Sequence, residues 1–432
     1  MMHRICFLLL WFVFSLTPSA QAGTQVQSFR GPAGMRVYLL ESHASPMLEM
    51  RLVTRGGSVY DPPDKAGLAS LTAWMFNEGA GEMDSATFQE RLAFHGILMD
   101  ATASLETLVV KVTTLSAHWE EAGERLADAV LRPRLEEKAL LRAVAEQRAS
   151  LIKNLEQPQH QAALLLQKNL YPNHPYGRPV AGTLEGLSRV TLADVRDFHA
   201  DAFHGPAMVL AVAGDVDRSA LQAFLHRHFA ALDATPSPMP AIPPVVRKRP
   251  AGSPATEHLE MDLPQTTLQL GTIAIRRRDP DYYAFYVLNQ LLGGVGLTGR
   301  LGREIREKRG LTYGVYSRFS PLSQEGPFVI SMQTKTASTQ EALLLLRQQL
   351  QAIVQEEVPE EELDDVIRYL TGSFPLHQDG LGKLAALWGS IGFHKLGMDY
   401  LEKWPERIRA VRREDVARVA RRILDLEQFC TV

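Results

Sequence analysis

Apolar and polar residues alternate with different periods along the chain, and each change of period marks a predicted element. Residues 48–53 alternate with a period of two, which predicts a strand, whereas residues 67–76 have the apolar spacing of a helix. A turn at residues 61–64 separates them, and Gly79 follows the helix. A second helix at 88–94, strands at 97–104 and 107–114, and a long amphipathic helix at 119–131 come next.

The same order of elements recurs in the second part of the chain. Residues 267–273 predict a strand, Asp279 and Pro280 a turn, and residues 282–292 a helix that stops at a glycine pair. A second helix at 301–308, strands at 312–319 and 328–334, and a helix at 339–354 follow. Each part ends in a helix, opening near 191 or 413, and a strand, at 208–213 or 428–432. This repeat predicts an α+β protein of two homologous halves, each a mostly antiparallel sheet with helices packed on one face.

Two segments stand apart from these halves. Residues 234–254 contain seven prolines and predict an extended linker. Near the N-terminus, Arg4 precedes an apolar run at 5–16 and a small-residue end at Ala22, which is typical of a cleaved signal peptide. The run is too short to span a bilayer, so we expect export, into the periplasm, without a stable membrane anchor. The predicted domains are a signal peptide at 1–22, an N-terminal half at 23–233, a linker at 234–258 and a C-terminal half at 259–432.

Composition narrows the function classes. Of the 432 residues, 45% are hydrophobic, which is typical of a folded protein. The formal net charge of -3 does not favour binding to nucleic acid or to an anionic membrane surface. The two cysteines are Cys6, inside the predicted signal peptide, and Cys430. The mature chain is therefore expected to form no internal disulfide, and we interpret Cys430 as a buried hydrophobic residue.

Familiar catalytic patterns are missing from the sequence. No histidine has a second metal ligand one helical turn away with a carboxylate between them, and no Gly-x-Ser-x-Gly elbow is present. Gly293, Gly294 and Gly296 resemble a phosphate loop only superficially, because they follow a helix and lack the Gly-Lys-Ser/Thr ending. We interpret these glycines as a flexible loop that permits close approach.

The segment after these glycines carries candidate binding chemistry. We predict that most charged residues of the predicted helix at 301–308 face solvent. Arg306 lies near the helix end, Gly310 turns the chain, and Tyr313 begins the predicted strand, so both polar heads could converge on one spot. A guanidinium fork and a phenol suit a peptide carbonyl or an oxyanion.

Three segments resemble the pitrilysin (insulinase) metallopeptidase family: residues 303–313, residues 174–183 and residues 212–216. The resemblance implies two homologous halves, or two subunits, that enclose a chamber. Active members carry a His-x-x-Glu-His zinc motif on a helix of the first half and a further glutamate downstream. Here the corresponding positions hold Ser70, Ala73 and Trp74, and the third-ligand region falls near Ser150 and Leu151, with Glu146 one turn earlier.

The resemblance also implies a function. Some bacterial members divide the site between two chains, one with zinc and one with the Arg–Tyr pair, and this chain resembles the second kind. We therefore expect a non-catalytic subunit, without a cofactor of its own and inactive alone, that lends Arg306 and Tyr313 to peptide bound at the zinc of a homologous partner. The glycines at 293, 294 and 296 would free the adjoining substrate loop. Alternatives are a peptide-binding or scaffold protein with no part in cleavage, and an independent hydrolase, for which no constellation is found.

Overall fold

The computed structural model describes residues 26–247, 255–294 and 298–432, so the predicted signal peptide lies outside the described residues. The strands are β1 (Gln27–Arg30), β2 (Arg36–Glu41), β3 (Met47–Arg55), β4 (Gly79–Ala80), β5 (Met83–Asp84), β6 (Leu98–Ala103), β7 (Thr107–Leu115), β8 (Val209–Gly214), β9 (Gln265–Ile273), β10 (Val315–Phe319), β11 (Pro327–Lys335) and β12 (Cys430–Thr431).

The α-helices are α1 (Leu68–Trp74), α2 (Ser85–Phe94), α3 (Trp119–Leu131), α4 (Glu137–Leu155), α5 (Pro158–Leu170), α6 (Leu184–Arg189), α7 (Leu192–Ala202), α8 (Arg218–His228), α9 (Tyr282–Asn289), α10 (Thr339–Gln355), α11 (Glu360–Ser373), α12 (Leu381–His394), α13 (Tyr400–Arg409) and α14 (Arg413–Ile423). Two π-helical segments, Gln290–Gly294 and Gly302–Glu307, lie between α9 and β10. None of the helices in the described ranges is long and apolar enough to cross a membrane.

The two predicted sheets form separately. The first has the strand order β1-β2-β8-β3-β7-β6 and is antiparallel except for the parallel pair β2–β8. The second has the order β10-β11-β9-β12 and is antiparallel throughout. In each sheet a hairpin, β6–β7 or β10–β11, pairs with the first long strand of its half, and the last strand pairs with the other side of it. The predicted fold class, with its two related halves, is confirmed.

Each sheet packs helices of its own half on one face. In the first half α1, α2 and α3 pack on β6 and β7 and share one core with the apolar side chains of β3, where Leu48, Leu71 and Phe88 are fully buried. Lys65, in the turn before α1, bonds Asp194 of α7 at 2.6 Å. In the second half Arg422 of α14 bonds Asp279 and Asp281, in the turn before α9, at 2.8 and 2.6 Å. In both halves, an ion pair therefore joins the turn before the first helix to the helix that precedes the last strand.

The opposite faces of the sheets are covered by an exchange of helices that the sequence pattern does not predict. α12 of the C-terminal half lies across β3 and β8 of the first sheet, where Trp388 stacks on Tyr38 with ring centroids 5.4 Å apart. α5 of the N-terminal half lies across β9 of the second sheet, with Leu166 and Leu170 directly above Gly271. Both halves therefore need each other to complete their cores, because an uncovered apolar sheet face is costly in water.

A buried carboxylate joins the two hairpin turns. Glu106, between β6 and β7, accepts hydrogen bonds from the Ser323 backbone N–H at 3.0 Å and from the Ser323 hydroxyl at 2.9 Å, both between β10 and β11. The Tyr176 hydroxyl donates to the same carboxylate. The Pro-rich segment packs against this junction, since the Gln324 amide donates to the Ile242 carbonyl at 3.3 Å. Cys430 is buried in β12, as the sequence predicts.

Candidate functional site

The helix α1 is fixed at its start by a buried carboxylate. Asp61 is 2% exposed and accepts hydrogen bonds from the backbone N–H groups of Gly67 and Ala69, each at 2.8 Å. These contacts satisfy two of the donors that every helix N-terminus leaves without an intrahelical partner. Burial nevertheless raises the pKa of Asp61 to about 7, although both hydrogen bonds act to lower it. The turn at 61–64 therefore sets where α1 begins.

Two predicted site positions on α1 make hydrogen bonds to α4. The Ser70 hydroxyl donates to the Gln147 side-chain oxygen at 3.3 Å, and the Trp74 indole N–H donates to Glu146 at 3.2 Å. The Gln147 amide in turn donates to the Ala181 carbonyl at 2.7 Å. Ala73 is only 2% exposed and packs into the core. These positions therefore join α1 to α4.

This arrangement does not fit zinc. A catalytic zinc site needs three protein lone pairs around an open position. At these positions of α1 the side chains end in a hydroxyl (Ser70), a methyl group (Ala73) and an indole N–H (Trp74). Neither a methyl group nor an indole N–H has a lone pair to give to a metal. On α4, Ser150 is exposed and Leu151 is buried, so the contacts to α1 come from Glu146 and Gln147, one turn before the expected third-ligand region.

Elsewhere in the described ranges, Glu41, His43 and Asp217 lie close enough to share a cation. The His43 imidazole also bonds Asp215 at 2.6 Å through Nδ1 and Glu41 at 3.3 Å through Nε2, and these hydrogen bonds raise its pKa. The contacts are those of a protonated imidazole between carboxylates at the surface. No local sequence pattern indicates this group, because the parallel pairing of β2 with β8 brings Asp217 to Glu41 and His43.

The charged segment around Arg306 forms a π-helical turn, Gly302–Glu307. Its other cations are engaged: Arg303 pairs with Glu362 at 2.5 Å, and Lys308 and Arg309 pair with Glu304 at 2.6 and 3.1 Å. The predicted solvated face is therefore a set of ion pairs. Arg306 is half-buried, and its side chain makes no hydrogen bond or ion pair within the described residues, which leaves its guanidinium available.

Tyr313 lies in a short loop and not at the start of a strand. Gly310 turns the chain with φ of +62°, and β10 begins only at Val315. The expectation of a strand from residue 312 was wrong because the Thr312 hydroxyl donates to the Gly314 carbonyl at 2.9 Å and accepts from its N–H at 3.1 Å. Such local bonds replace ladder bonds. Tyr313 is 92% exposed, and in the described part of the chain no hydrogen bond joins it to Arg306.

The expected glycine loop is partly helical. Gly293 and Gly294 form the end of the π-helical segment Gln290–Gly294, and Gly296 lies outside the described residues. A Cβ on Gly293 would lie 3.0 Å from the Ser317 backbone nitrogen. The close approach of this glycine to β10 thus occurs within a helical turn and not in a loop, since the segment packs beside that strand.

The chain is similar to known proteins in both sequence and structure. Residues 36–184 match the model described as "Insulinase (Peptidase family M16)", and residues 189–370 match "Peptidase M16 inactive domain". The crystal structure of the peptidase M16 inactive domain from Pseudomonas fluorescens is 31% identical with a TM-score of 0.88, covering 94% of this chain and 97% of that one. The chain belongs to peptidase family M16. The resemblance to the insulinase family is therefore confirmed.

Relatives in family M16 carry differing names. "Non-peptidase homolog YmxG" of Helicobacter pylori is 27% identical over 374 residues, 86% of this chain and 84% of that protein. "Uncharacterized zinc protease SCO5738" of Streptomyces coelicolor is 29% identical over 265 residues, 60% of this chain and 57% of that protein. The chain is a non-catalytic M16-like protein. Only the resemblance assigns Ser70, Ala73 and Trp74 to the positions of the family's zinc motif.

Proposed function

We propose that this protein is the non-catalytic subunit of an exported, heteromeric M16 peptidase. It binds extended peptide and supports cleavage at the active site of a homologous, zinc-bearing chain. The observation that carries the proposal is the contrast between its two sites. The catalytic positions on α1 are hydrogen-bonded to α4, whereas Arg306 has no partner among the described residues.

Arg306 and Tyr313 supply the chemistry that the proposal needs. A guanidinium without a carboxylate partner can donate to a peptide carbonyl and to the negative charge that develops on it during cleavage. The phenol of Tyr313 offers a second donor that already faces solvent. Thr334 supports this loop, because its hydroxyl donates to the Leu311 carbonyl at 2.7 Å. The pair would bind and orient the peptide.

Two further parts of the proposal rest on indirect support. The "Non-peptidase" name of the Helicobacter pylori relative, 27% identical over most of both chains, supports a role without catalysis by this chain. The Ala-x-Ala end at Ala22 supports export to the periplasm. The zinc belongs to the partner in this proposal, which needs no cofactor in the present chain.

A reconstitution assay tests the proposal. Residues 23–432 are mixed with the homologous chain that has an intact His-x-x-Glu-His motif, and cleavage of an internally quenched peptide is followed. We expect neither chain alone to reach the rate of the mixture. Loss of one preorganised donor lowers such rates by about a hundredfold, so we expect that loss for Arg306→Ala. Tyr313→Phe should reduce the rate by a smaller factor.

Arg309→Ala is the matched control, because it removes a neighbouring guanidinium that is already paired with Glu304. It should leave the rate of the mixture near that of the wild type. If Arg306→Ala left the rate of the mixture unchanged, the role assigned to Arg306 would be wrong. Peptide binding without any acceleration on mixing would instead support a peptide-binding scaffold.

A further inference from the structure

A cavity of about 800 Å³ lies between the halves, beside the second sheet. The exchanged helix α5 covers β9 but leaves much of the adjacent face of β10 and β11 open. The strand register identifies that face: Tyr316 pairs with Ser331, Arg318 with Val329, and all four line the cavity. The cavity therefore follows from the helix exchange, since α5 is too narrow to cover the whole sheet.

The cavity has an apolar wall contributed by both halves. Leu166 and Leu170 come from α5, and Tyr286, Phe319 and Val329 come from the C-terminal half. Tyr286 and Phe319 contact each other with ring centroids 5.8 Å apart. Walls of this kind bind apolar or aromatic side chains, and the volume lies within the range of small-molecule sites.

The cavity also presents a cation. The Arg318 guanidinium lines it and makes no hydrogen bond or ion pair within the described ranges. A ligand with an apolar body and an anionic group would therefore match both features of the cavity.

We propose that this cavity binds the C-terminal residue of a peptide whose last side chain is apolar or aromatic. The α-carboxylate pairs with Arg318, and the side chain lies against the apolar wall. In an unmodified peptide, only the C-terminal residue combines an α-carboxylate with an apolar side chain. The inference rests on the proposed peptide chemistry of the chain, but it needs neither Arg306 nor a partner.

Calorimetry on the mature chain alone tests this site with three probes. They are N-acetyl-Ala-Ala-Phe, the same peptide with a C-terminal amide, and N-acetyl-Ala-Ala-Ala. We expect the first to bind at least about tenfold more tightly than the other two, since a charge-assisted contact and a buried aromatic ring are each worth that much. Equal binding of the acid and the amide, or no binding of any probe, would overturn the proposal.

Variants locate the binding. Arg318→Gln should remove the preference for the acid over the amide, whereas Arg347→Gln, at an exposed arginine of α10, should keep it. Ala163→Trp fills the cavity from an exposed position of α5 and should abolish binding, whereas Ala223→Trp on α8 should not. Binding that survives both Arg318→Gln and Ala163→Trp contradicts the assignment. This binding is measured on the chain alone, whereas the proposed function is measured by the cleavage rate of the reconstituted mixture, so failure of the proposed function and failure of this site are distinguishable.

Discussion

The indole N–H of Trp74 donates a hydrogen bond to the Glu146 carboxylate at 3.2 Å, one turn along α1 from the bond between Ser70 and Gln147. On α1, the two bonds lie at the positions where active M16 members are expected to hold two of their zinc ligands.

This geometry predicts that a metal site can be rebuilt without moving the backbone. Histidines at positions 70 and 74 would share one face of α1, and Gln147→Glu would place a carboxylate beside them. We expect Ser70→His/Trp74→His/Gln147→Glu to bind zinc in near-stoichiometric amount, measured by elemental analysis after dialysis.

The double variant that retains Gln147 is the control, and it should bind zinc more weakly, because an amide is a poorer ligand than a carboxylate. The wild-type chain should bind only background metal. Near-stoichiometric zinc in the wild type would show that a metal site exists elsewhere in the chain and would contradict the zinc assignment to the partner.

The junction between the halves predicts a large stability effect from a small change. Glu106→Gln keeps the side-chain volume but turns an acceptor toward Ser323 into a possible donor. Since unsatisfied buried groups cost about 1–3 kcal/mol, we expect a loss of that size in the free energy of unfolding, measured in urea.

Glu90→Gln on the exposed side of α2 provides the comparison, and it should change the free energy of unfolding by less than about 0.5 kcal/mol. Tyr176→Phe removes one donor to Glu106 and should fall between the two variants. Equal effects of Glu106→Gln and Glu90→Gln would show that the two hairpin turns do not depend on this carboxylate.

Two glycines test the exchange of helices. A Cβ on Gly392 of α12 would lie 2.6 Å from both Tyr38 and Val209, whereas a Cβ on Gly372 of α11 would meet nothing within 4 Å. Gly392→Ala should destabilise the protein by about 1–3 kcal/mol through overpacking. Gly372→Ala should be neutral or stabilising by up to about 1 kcal/mol, because alanine favours helices.

Thermal or urea unfolding measures both glycine variants under the same conditions. If Gly392→Ala proved as stable as Gly372→Ala, α12 would not pack tightly on the first sheet in solution.

The sequence predicts local structure and repeats well because these depend on neighbouring residues. The apolar alternation at 48–53 and 267–273 identified β3 and β9, and the spacing at 88–94 and 119–131 identified α2 and α3. The exchange of α5 and α12 was not predictable in this way, since an apolar helix face does not specify which sheet it covers. Thr312 illustrates a further limit, because its hydroxyl bonds override the strand propensity of its neighbours.

The candidate site likewise has parts that the sequence predicts and parts that depend on tertiary packing. The vacancy at Ser70, Ala73 and Trp74 could be read from the resemblance, but its bonds to Glu146 and Gln147 depend on how α1 and α4 pack. The cavity beside Arg318 combines α5 with β10, which lie far apart in the chain, so no local pattern indicates it.

The pKa of Asp61 yields a prediction about pH. Burial raises this pKa to about 7, so between about pH 4 and pH 7 the folded chain holds a proton that the unfolded chain has released. The contribution of Asp61 to stability therefore falls as pH rises through that range, with a slope of at most about 1.4 kcal/mol per pH unit. Asp61→Asn removes this contribution and keeps one acceptor for the N-terminus of α1. The free energy of unfolding of the variant, measured relative to the wild type, should rise from pH 5 to pH 7.

The comparison must be a difference between variants because His199 titrates with the opposite sign. Burial lowers the pKa of His199 to about 4, so its contribution to stability is lost as pH falls from about 6.5 to 4. That contribution is the same in the wild type and in Asp61→Asn and cancels in their difference. Asp64→Asn, at an exposed position of the same turn, is the control for the removal of a carboxylate near the start of α1. A difference between Asp61→Asn and the wild type that is constant from pH 5 to pH 7 would mean that Asp61 stays ionised, with its hydrogen bonds to Gly67 and Ala69 outweighing burial.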